Sequence, residues 1–190
     1  LKIDVERREN IRAYHSATHL LHESLRRVLG THVIQKGSLV ESNRLRFDFS
    51  CNESLTYEQL KEIEQLVNSK ILENNETQIQ VMPLEKAKLS GAISLFGEKY
   101  EDTVRVLNIG GEFSCELCGG THVERSGDIG VFKIISESGI ASGVRRIEAI
   151  TGLEAFVWIE NMEAKLQRMA DSLKSDIETV DSKLNLQELS

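Results

Sequence analysis

Two short clusters of histidine and cysteine carry the residue types that bind metal ions. His15 and His19 lie four residues apart near the start of the chain, and Cys118 and His122 lie four apart in its second half. Together they offer one thiolate and three imidazoles, which are common ligands of zinc at such spacings. The sequence therefore predicts one Zn²⁺ site that joins two distant segments of the fold, and a zinc-dependent catalyst built around it.

The neighbours of each pair narrow the chemistry. Two histidines four apart on a helix project side by side and can reach one metal ion, although such a pair alone is more often a surface or core feature. The metalloprotease version of this motif has Glu after the first histidine, whereas this chain has Ser16, which removes the support for a protease. Gly119 and Gly120 disfavour a helix after Cys118, so we expect a tight turn there.

The remaining histidines and cysteines fit the ligand set less well. Cys115 forms a CxxC pattern with Cys118, which is typical of half a structural zinc site or of a redox pair. The chain has no second CxxC, so we place Cys115 outside the ligand set. We expect His22 to lie beside the ligands or at the surface, and we expect structural roles for His32 and Cys51.

Hydrophobic periodicity indicates the elements that must position these residues. Helices are predicted over about 10–29, 56–74 and 83–89, the second opened by a capping box of Thr56 and Gln59 and the third with Pro83 in its first turn. Strands are predicted near 32–40, 43–50, 77–82, 92–96, 103–109, 129–137 and 143–150. The order favours an α+β fold, a two-layer sandwich of a mostly antiparallel sheet with helices packed on it.

A long helix is predicted after the last strand. Its apolar residues form a heptad-like seam with one stutter, and they are Ile159, Met162, Leu166, Met169, Leu173, Ile177, Val180 and Leu184. We therefore predict two domains, a zinc-dependent domain over 1–151 and a long helix over 152–190. The seam predicts either a homodimer or packing of the helix on the first domain.

Composition limits the class of protein. The 190 residues are 40% hydrophobic and 28% charged, as in a soluble globular protein, and no stretch is apolar enough to span a membrane. A net charge of −7 disfavours nonspecific nucleic-acid binding, and it is compatible with a local basic surface. Its candidates are Arg44, Arg46, Lys133, Arg145 and Arg146. The charged start, three cysteines and initial Leu1 predict an excised piece of a cytoplasmic protein with reduced thiols.

Six blocks in series resemble the editing domain of alanyl-tRNA synthetase. The first is the run His15–His22, whose sequence is HSATHLLH. The others are Gly30–Ser38, Leu45–Phe49, Leu95–Tyr100, Glu116–His122 and Gly143–Ala149. The resemblance covers roughly residues 10–152. The zinc-ligand pattern itself is also shared by the editing domain of threonyl-tRNA synthetase and by free-standing alanyl-tRNA editing proteins.

The resemblance implies hydrolysis of tRNA(Ala) that has been mischarged with serine or glycine. It carries over four zinc ligands, which are His15, His19, Cys118 and His122. Thr18 matches a position that lines the amino-acid pocket, Gln35 and Ser38 match further editing residues, and Arg145 matches an arginine that supports the pocket or the tRNA end. The long helix resembles the link toward the dimerisation region, and ATP is used only by the charging domain, which is missing here.

An editing site answers a physical problem of selectivity. A charging site for alanine cannot reject glycine by size and rejects serine only weakly, so a second site must destroy the wrong product. Two alternatives stay open. One is a zinc-stapled module that binds tRNA and dimerises without turnover in isolation, and the other is a free-standing alanyl-tRNA editing protein.

Overall fold

A computed structural model describes residues 3–94 and 100–180 of the chain. The chain divides into two compact units, with the division after Gly152. Two sequence features lie outside the described residues. These are Leu95–Lys99, which form most of one motif block and part of a predicted strand, and Leu184 of the predicted helical seam.

The described residues of the first unit form three α-helices, a short 3₁₀ helix (Ser126–Ile129) and seven strands. The helices are α1 (Val5–Leu29), α2 (Tyr57–Leu72) and α3 (Leu84–Leu89). The strands are β1 (Gln35–Val40), β2 (Leu45–Ser50), β3 (Gln78–Pro83), β4 (Thr103–Ile109), β5 (Ser114–Leu117), β6 (Phe132–Ala141) and β7 (Val144–Thr151).

These strands form two antiparallel sheets. One sheet has four strands in the order β1-β2-β7-β6, and the other has three in the order β3-β4-β5. The α+β class and the antiparallel pairing are thus confirmed. The strands are divided between two sheets, whereas the sequence suggested one.

Helix α1 begins earlier than its apolar stripe predicts. The Asp4 side chain accepts a hydrogen bond from the Arg7 N–H at 3.0 Å, which caps the helix several residues before the stripe starts. The helix ends where Gly30, at a φ of 117°, donates its N–H to the Arg26 carbonyl. The central part of α1 is buried, including Tyr14, Ala17, Leu20, Leu21 and Leu25.

Strand β2 shows the alternation that the sequence predicts. Leu45, Phe47 and Phe49 are fully buried and form part of the core. The Asp48 carboxylate lies on the other face and makes a bidentate pair with Arg146, at 2.7 and 2.8 Å. The capping box of Thr56 and Gln59 at the start of α2 is also present in both directions.

The candidate basic surface is largely neutralised. Four of its five residues form ion pairs with acidic side chains. Arg44 pairs with Glu41, Lys133 with Glu64, Arg145 with Glu137, and Arg146 with Asp48. These four side chains therefore offer much less positive potential to a polyanion than their number alone suggests.

The chain after the last strand differs from the prediction. Helix α4 spans Gly152–Ser172, so the prediction of one continuous helix through the described residues 173–180 is wrong. Lys174 takes a left-handed φ of 50°, and the N–H of Ser175 donates to the Ala170 carbonyl. These contacts form a Schellman motif, which ends the helix at the stutter in the apolar seam. A short 3₁₀ turn follows at Ile177–Thr179. None of the described helices is both long enough and apolar enough to cross a membrane.

Candidate metal centre

The four predicted ligands converge at one point. Helix α1 presents His15 and His19, and the loop after β5 presents Cys118 and His122. Their ligand atoms all lie within 4.8 Å of one another. The Cys118 sulfur lies 3.6 Å from His15 Nε2 and 3.3 Å from His122 Nε2. This arrangement could hold a metal ion.

Strand β5, which delivers Cys118, is not among the strands predicted from the sequence. It is only four residues long, and it pairs with β4 from Ser114 to Leu117. The N–H of Cys118 then donates to the Arg105 carbonyl at 3.0 Å, so the loop leaves the sheet edge at a defined place. The three-stranded sheet thereby sets the position of the thiol.

Side chains from two other elements hold the ligand loop. The Arg105 guanidinium donates from Nη1 to the Gly120 carbonyl, and the Arg12 Nε of α1 donates to the His122 carbonyl at 2.7 Å. Ser16 occupies the position where a metalloprotease has its glutamate. Its Oγ accepts a hydrogen bond from the Val123 N–H at 3.1 Å and lies 3.4 Å from His122 Nδ1. Ser16 therefore supports the loop.

Glu116 joins one predicted ligand, His19, to a further histidine, His22. Its carboxylate is buried and lies 2.7 Å from His19 Nδ1 through Oε2 and 3.0 Å from His22 Nδ1 through Oε1. Glu116 is not among the functional residues predicted from the sequence. A signal was present, because Glu116 precedes Cys118 by two positions and side chains two apart in a strand share a face. His22, expected beside the ligands or at the surface, is buried against Glu116.

The charges of the site are strongly coupled. Burial alone would raise the pKa of Glu116, but the neighbouring His19 and the hydrogen bonds from His19 and His22 hold that pKa well below its usual range. Burial likewise opposes the charged form of His19, and Glu116 outweighs it and raises the pKa of His19.

The surroundings of Cys118 favour its thiolate form. Burial would raise the pKa of Cys118, but hydrogen bonds from His122 and His15 outweigh that effect and lower it well below the ordinary thiol value. Burial also lowers the pKa of His122, which favours its neutral form. A thiolate and neutral imidazoles are the forms that bind metals.

The donor set fits a zinc ion. One thiolate sulfur and three imidazole nitrogens match the ligand preference of this metal. His19 Nε2 is buried and has no hydrogen-bond partner among residues 3–94 and 100–180. A buried polar atom without a partner is costly, so a metal ion at this point would satisfy it.

The other predicted site residues lie around the cluster or farther along the sheet. Thr18 is buried on α1, and its hydroxyl donates to the Tyr14 carbonyl at 2.9 Å. Gln35 begins β1 and lines a cavity of about 310 Å³ together with His22. Ser38 is exposed on β1, and Arg145 on β7 is paired with Glu137. Within the described ranges, no hydrogen bond or ion pair joins Thr18, Ser38 or Arg145 to the four ligands.

Two cysteines lie outside the cluster of ligand atoms. Cys115 packs against the apolar residues Val106 and Leu117, and burial raises the pKa of its thiol. The Cys51 thiol donates to the Glu53 carbonyl at 3.3 Å. Both observations agree with the expectation that these residues do not belong to the ligand set.

The chain is similar to known proteins over almost its whole length. Residues 104–148 match the family described as the threonyl and alanyl tRNA synthetase second additional domain. The alanine--tRNA ligase of Haemophilus influenzae (strain PittGG) is 55% identical over 182 residues, which are 96% of this chain and 21% of that protein. The alanine--tRNA ligase of Pseudoalteromonas translucida (strain TAC 125) is 57% identical over 178 residues, which are 94% of this chain and 20% of that protein.

The matches thus span about a fifth of the length of these curated relatives. The family match contains Cys118 and His122, while His15 and His19 fall outside it. The chain is therefore a homologue of one part of the alanine--tRNA ligases, the part that contains the second additional domain of threonyl and alanyl tRNA synthetases.

Proposed function

We propose that this chain is a zinc-dependent editing domain that hydrolyses the ester of tRNA(Ala) mischarged with serine or glycine. The observation that carries the proposal is the convergence of His15, His19, Cys118 and His122 in a homologue of alanine--tRNA ligases. In this proposal the domain occupies residues 1–151. The parent ligase would attach alanine to tRNA(Ala) with ATP, which another part of the enzyme would bind.

The metal would supply Lewis-acid chemistry to the ester when bound. The described chain provides the remaining functions through its own side chains. Arg12 and Arg105 donate hydrogen bonds to carbonyls of the loop 118–122. These bonds hold Cys118 and His122 next to the histidines of α1. Among the described residues, Glu116 is the carboxylate that forms hydrogen bonds and ion pairs with histidines, and both of its oxygens are already engaged by His19 and His22.

Thr18 would distinguish serine from alanine. Its hydroxyl proton is committed to the Tyr14 carbonyl, so its oxygen has only lone pairs to offer. The hydroxyl of a seryl ester could donate to that oxygen, whereas an alanyl ester has nothing to donate. A lost hydrogen bond of this kind is worth about 1–3 kcal/mol, which protects the correct product. Gln35 would contribute a second polar contact, and we assign Ser38 and Arg145 to the surroundings of the tRNA end.

The test is the release of serine from seryl-tRNA(Ala) by the chain. Cys118→Ala should lose most of the activity because one of four ligands is gone, and Gln35→Ala should lose part of it. Cys115→Ala is the matched control, since that thiol lies outside the cluster, and it should retain activity. Unchanged hydrolysis by the Cys118 variant would contradict a metal-centred mechanism.

A second candidate is a zinc-stapled module that binds tRNA without turnover. Four strong protein ligands within 4.8 Å of one another favour it, because a site closed by four ligands is typical of structural zinc. Stoichiometric zinc with no hydrolysis of supplied seryl-tRNA(Ala) would support this candidate. Turnover by the wild-type chain would exclude it.

We also propose that α4 contributes to a homodimer. Ile159, Leu166 and Met169 belong to its apolar seam, and each exposes more than a third of its surface. Sedimentation should show a dimer that Leu166→Glu dissociates, with Lys165→Glu on a different face as the control. A monomer at high concentration of the wild-type chain would contradict the proposal.

A further inference from the structure

Glu116 contacts two histidines, of which only one belongs to the metal-binding cluster. Its residue is 3% exposed, and His22 is 2% exposed, so neither exchanges its partner for water readily. A third contact is weaker, with the Ser114 hydroxyl 3.4 Å from Glu116 Oε1. Each carboxylate oxygen thus has its own imidazole partner.

The atoms used in these contacts determine which nitrogen of His19 is available. A neutral imidazole that donates through Nδ1–H carries its lone pair on Nε2. Glu116 Oε2 can only accept at the 2.7 Å contact with His19 Nδ1, so the proton belongs on Nδ1. In the neutral form of His19, which is the form that binds a metal ion, the buried Nε2 has no partner in the described chain and presents a lone pair to the cluster.

His22 holds the carboxylate at its other oxygen. The 3.0 Å contact between His22 Nδ1 and Glu116 Oε1 opposes rotation of the carboxylate about the Cγ–Cδ bond. The His22 ring lies 5.4 Å from the Phe47 ring, a core residue, so it is itself fixed by packing. The orientation of His19 therefore depends on a chain of contacts that begins in the core.

We propose that Glu116 is a positioning residue of the metal centre, and that His22 holds Glu116 in place for this task. Hydrogen-bonded partners of a metal-ligating histidine fix its ring, and losing them typically weakens metal binding by 10- to 100-fold, roughly. The inference rests on the metal centre of the proposed function. It concerns a residue outside the four ligands.

The affinity of the chain for Zn²⁺, measured by competition with a chelator, tests the proposal. Glu116→Gln keeps the size of the side chain but places an amide NH₂ against one of the two Nδ1–H groups. We expect its affinity to fall about 10- to 100-fold. Glu64→Gln is the matched control, because Glu64 is another carboxylate shielded in part from solvent and paired, but it contacts Lys133 and the Ile134 N–H instead. We expect no loss of affinity there.

Two variants of His22 test whether His22 holds Glu116 in place, and neither of them changes Glu116 itself. His22→Asn retains an N–H donor near the position of Nδ1, whereas His22→Leu removes the donor. We expect the Asn variant to bind Zn²⁺ more tightly than the Leu variant, and we expect only the Leu variant to alter the visible spectrum of the Co²⁺-loaded chain. If Glu116→Gln does not fold, this comparison still tests the proposal, because both His22 variants keep the Glu116 carboxylate.

Equal Zn²⁺ affinity in the wild type, Glu116→Gln and His22→Leu, with all three folded by circular dichroism, would overturn the proposal. That result differs from a failure of the metal centre itself, in which the wild-type chain would bind no Zn²⁺. If Glu116 served only the stability of the fold, Glu116→Gln would lower the melting temperature of the metal-free chain and leave the Zn²⁺ affinity and the Co²⁺ spectrum unchanged, which would also overturn the proposal.

Discussion

Gly120 lies directly against the ring of His15. A Cβ on Gly120 would come 2.7 Å from His15 Nδ1 and closer still to Cε1, whereas a Cβ on the adjacent Gly119 would meet nothing within 4 Å. His15 contacts Cys118 on one side, and its ring cannot retreat without leaving the cluster. The two neighbouring glycines therefore differ in the space around them. At Gly120 the His15 ring leaves no room for a side chain, whereas at Gly119 a Cβ would meet no other atom within 4 Å.

Gly120→Ala should weaken Zn²⁺ binding strongly, because the added methyl displaces His15 from the cluster. Metal analysis of the purified chain should show substoichiometric zinc, and hydrolysis of seryl-tRNA(Ala) should fall with it. Gly119→Ala is the matched control and should bind zinc as the wild type does. Equal zinc content in both variants would show that the His15 ring does not need this space.

Removal of the metal should destabilise the first unit. A ligand that binds only the folded state adds about 2.7 kcal/mol to the free energy of unfolding when its free concentration is 100 times its Kd. Thermal unfolding with excess zinc and then with a chelator should show a lower melting temperature in the chelator. Cys118→Ala should lose most of this zinc dependence. A wild-type melting temperature that ignores zinc would contradict the expected site.

Asn68 ties helix α2 to the backbone of an edge strand. Its side chain donates to the Phe132 carbonyl at 2.8 Å and accepts from the Phe132 N–H at 2.9 Å. Asn68→Ala should lower the free energy of unfolding in urea by about 1–3 kcal/mol for the groups left unpaired. Gln65→Ala, exposed on the same helix, should change it by less than about 0.5 kcal/mol. Equal effects would contradict this role.

Lys174 occupies a left-handed position that costs a non-glycine residue about 1–2 kcal/mol. Lys174→Gly should therefore raise the thermal stability of α4, followed by circular dichroism. Lys165→Gly, inside the same helix, should lower it by about 1 kcal/mol. A loss of helix in the Lys174 variant would show that its side chain matters more than its backbone.

The sequence predicts which four residues converge better than it predicts the residues that support them. His15, His19, Cys118 and His122 are recognisable as candidate ligands because residue type and spacing recur in two pairs, which together favour a ligand set. The contribution of Glu116 depends on β5, a strand of four residues with too little periodicity to be recognised, and on its docking beside α1. Such pairing is a tertiary property, and no local pattern records it.

The end of α4 shows a similar limit. Lysine favours helices, and nothing near residue 173 marks a stop, so the sequence predicts continuation. The backbone nevertheless turns at Lys174, and the only trace in the sequence is the stutter between Leu173 and Ile177. A change of apolar spacing was a better indicator of the helix end than helix propensity.

The separation of the two ligand pairs along the chain also affects folding. His15 and Cys118 are 103 positions apart, so a metal ion bound by both would act as a cross-link that encloses β1 to β5. During synthesis, α1 can form early but cannot complete the site until residue 122 has emerged and β5 has paired with β4. Metal occupancy would therefore report that the three-stranded sheet has been connected to α1, and a pulse of metal during refolding would time that event.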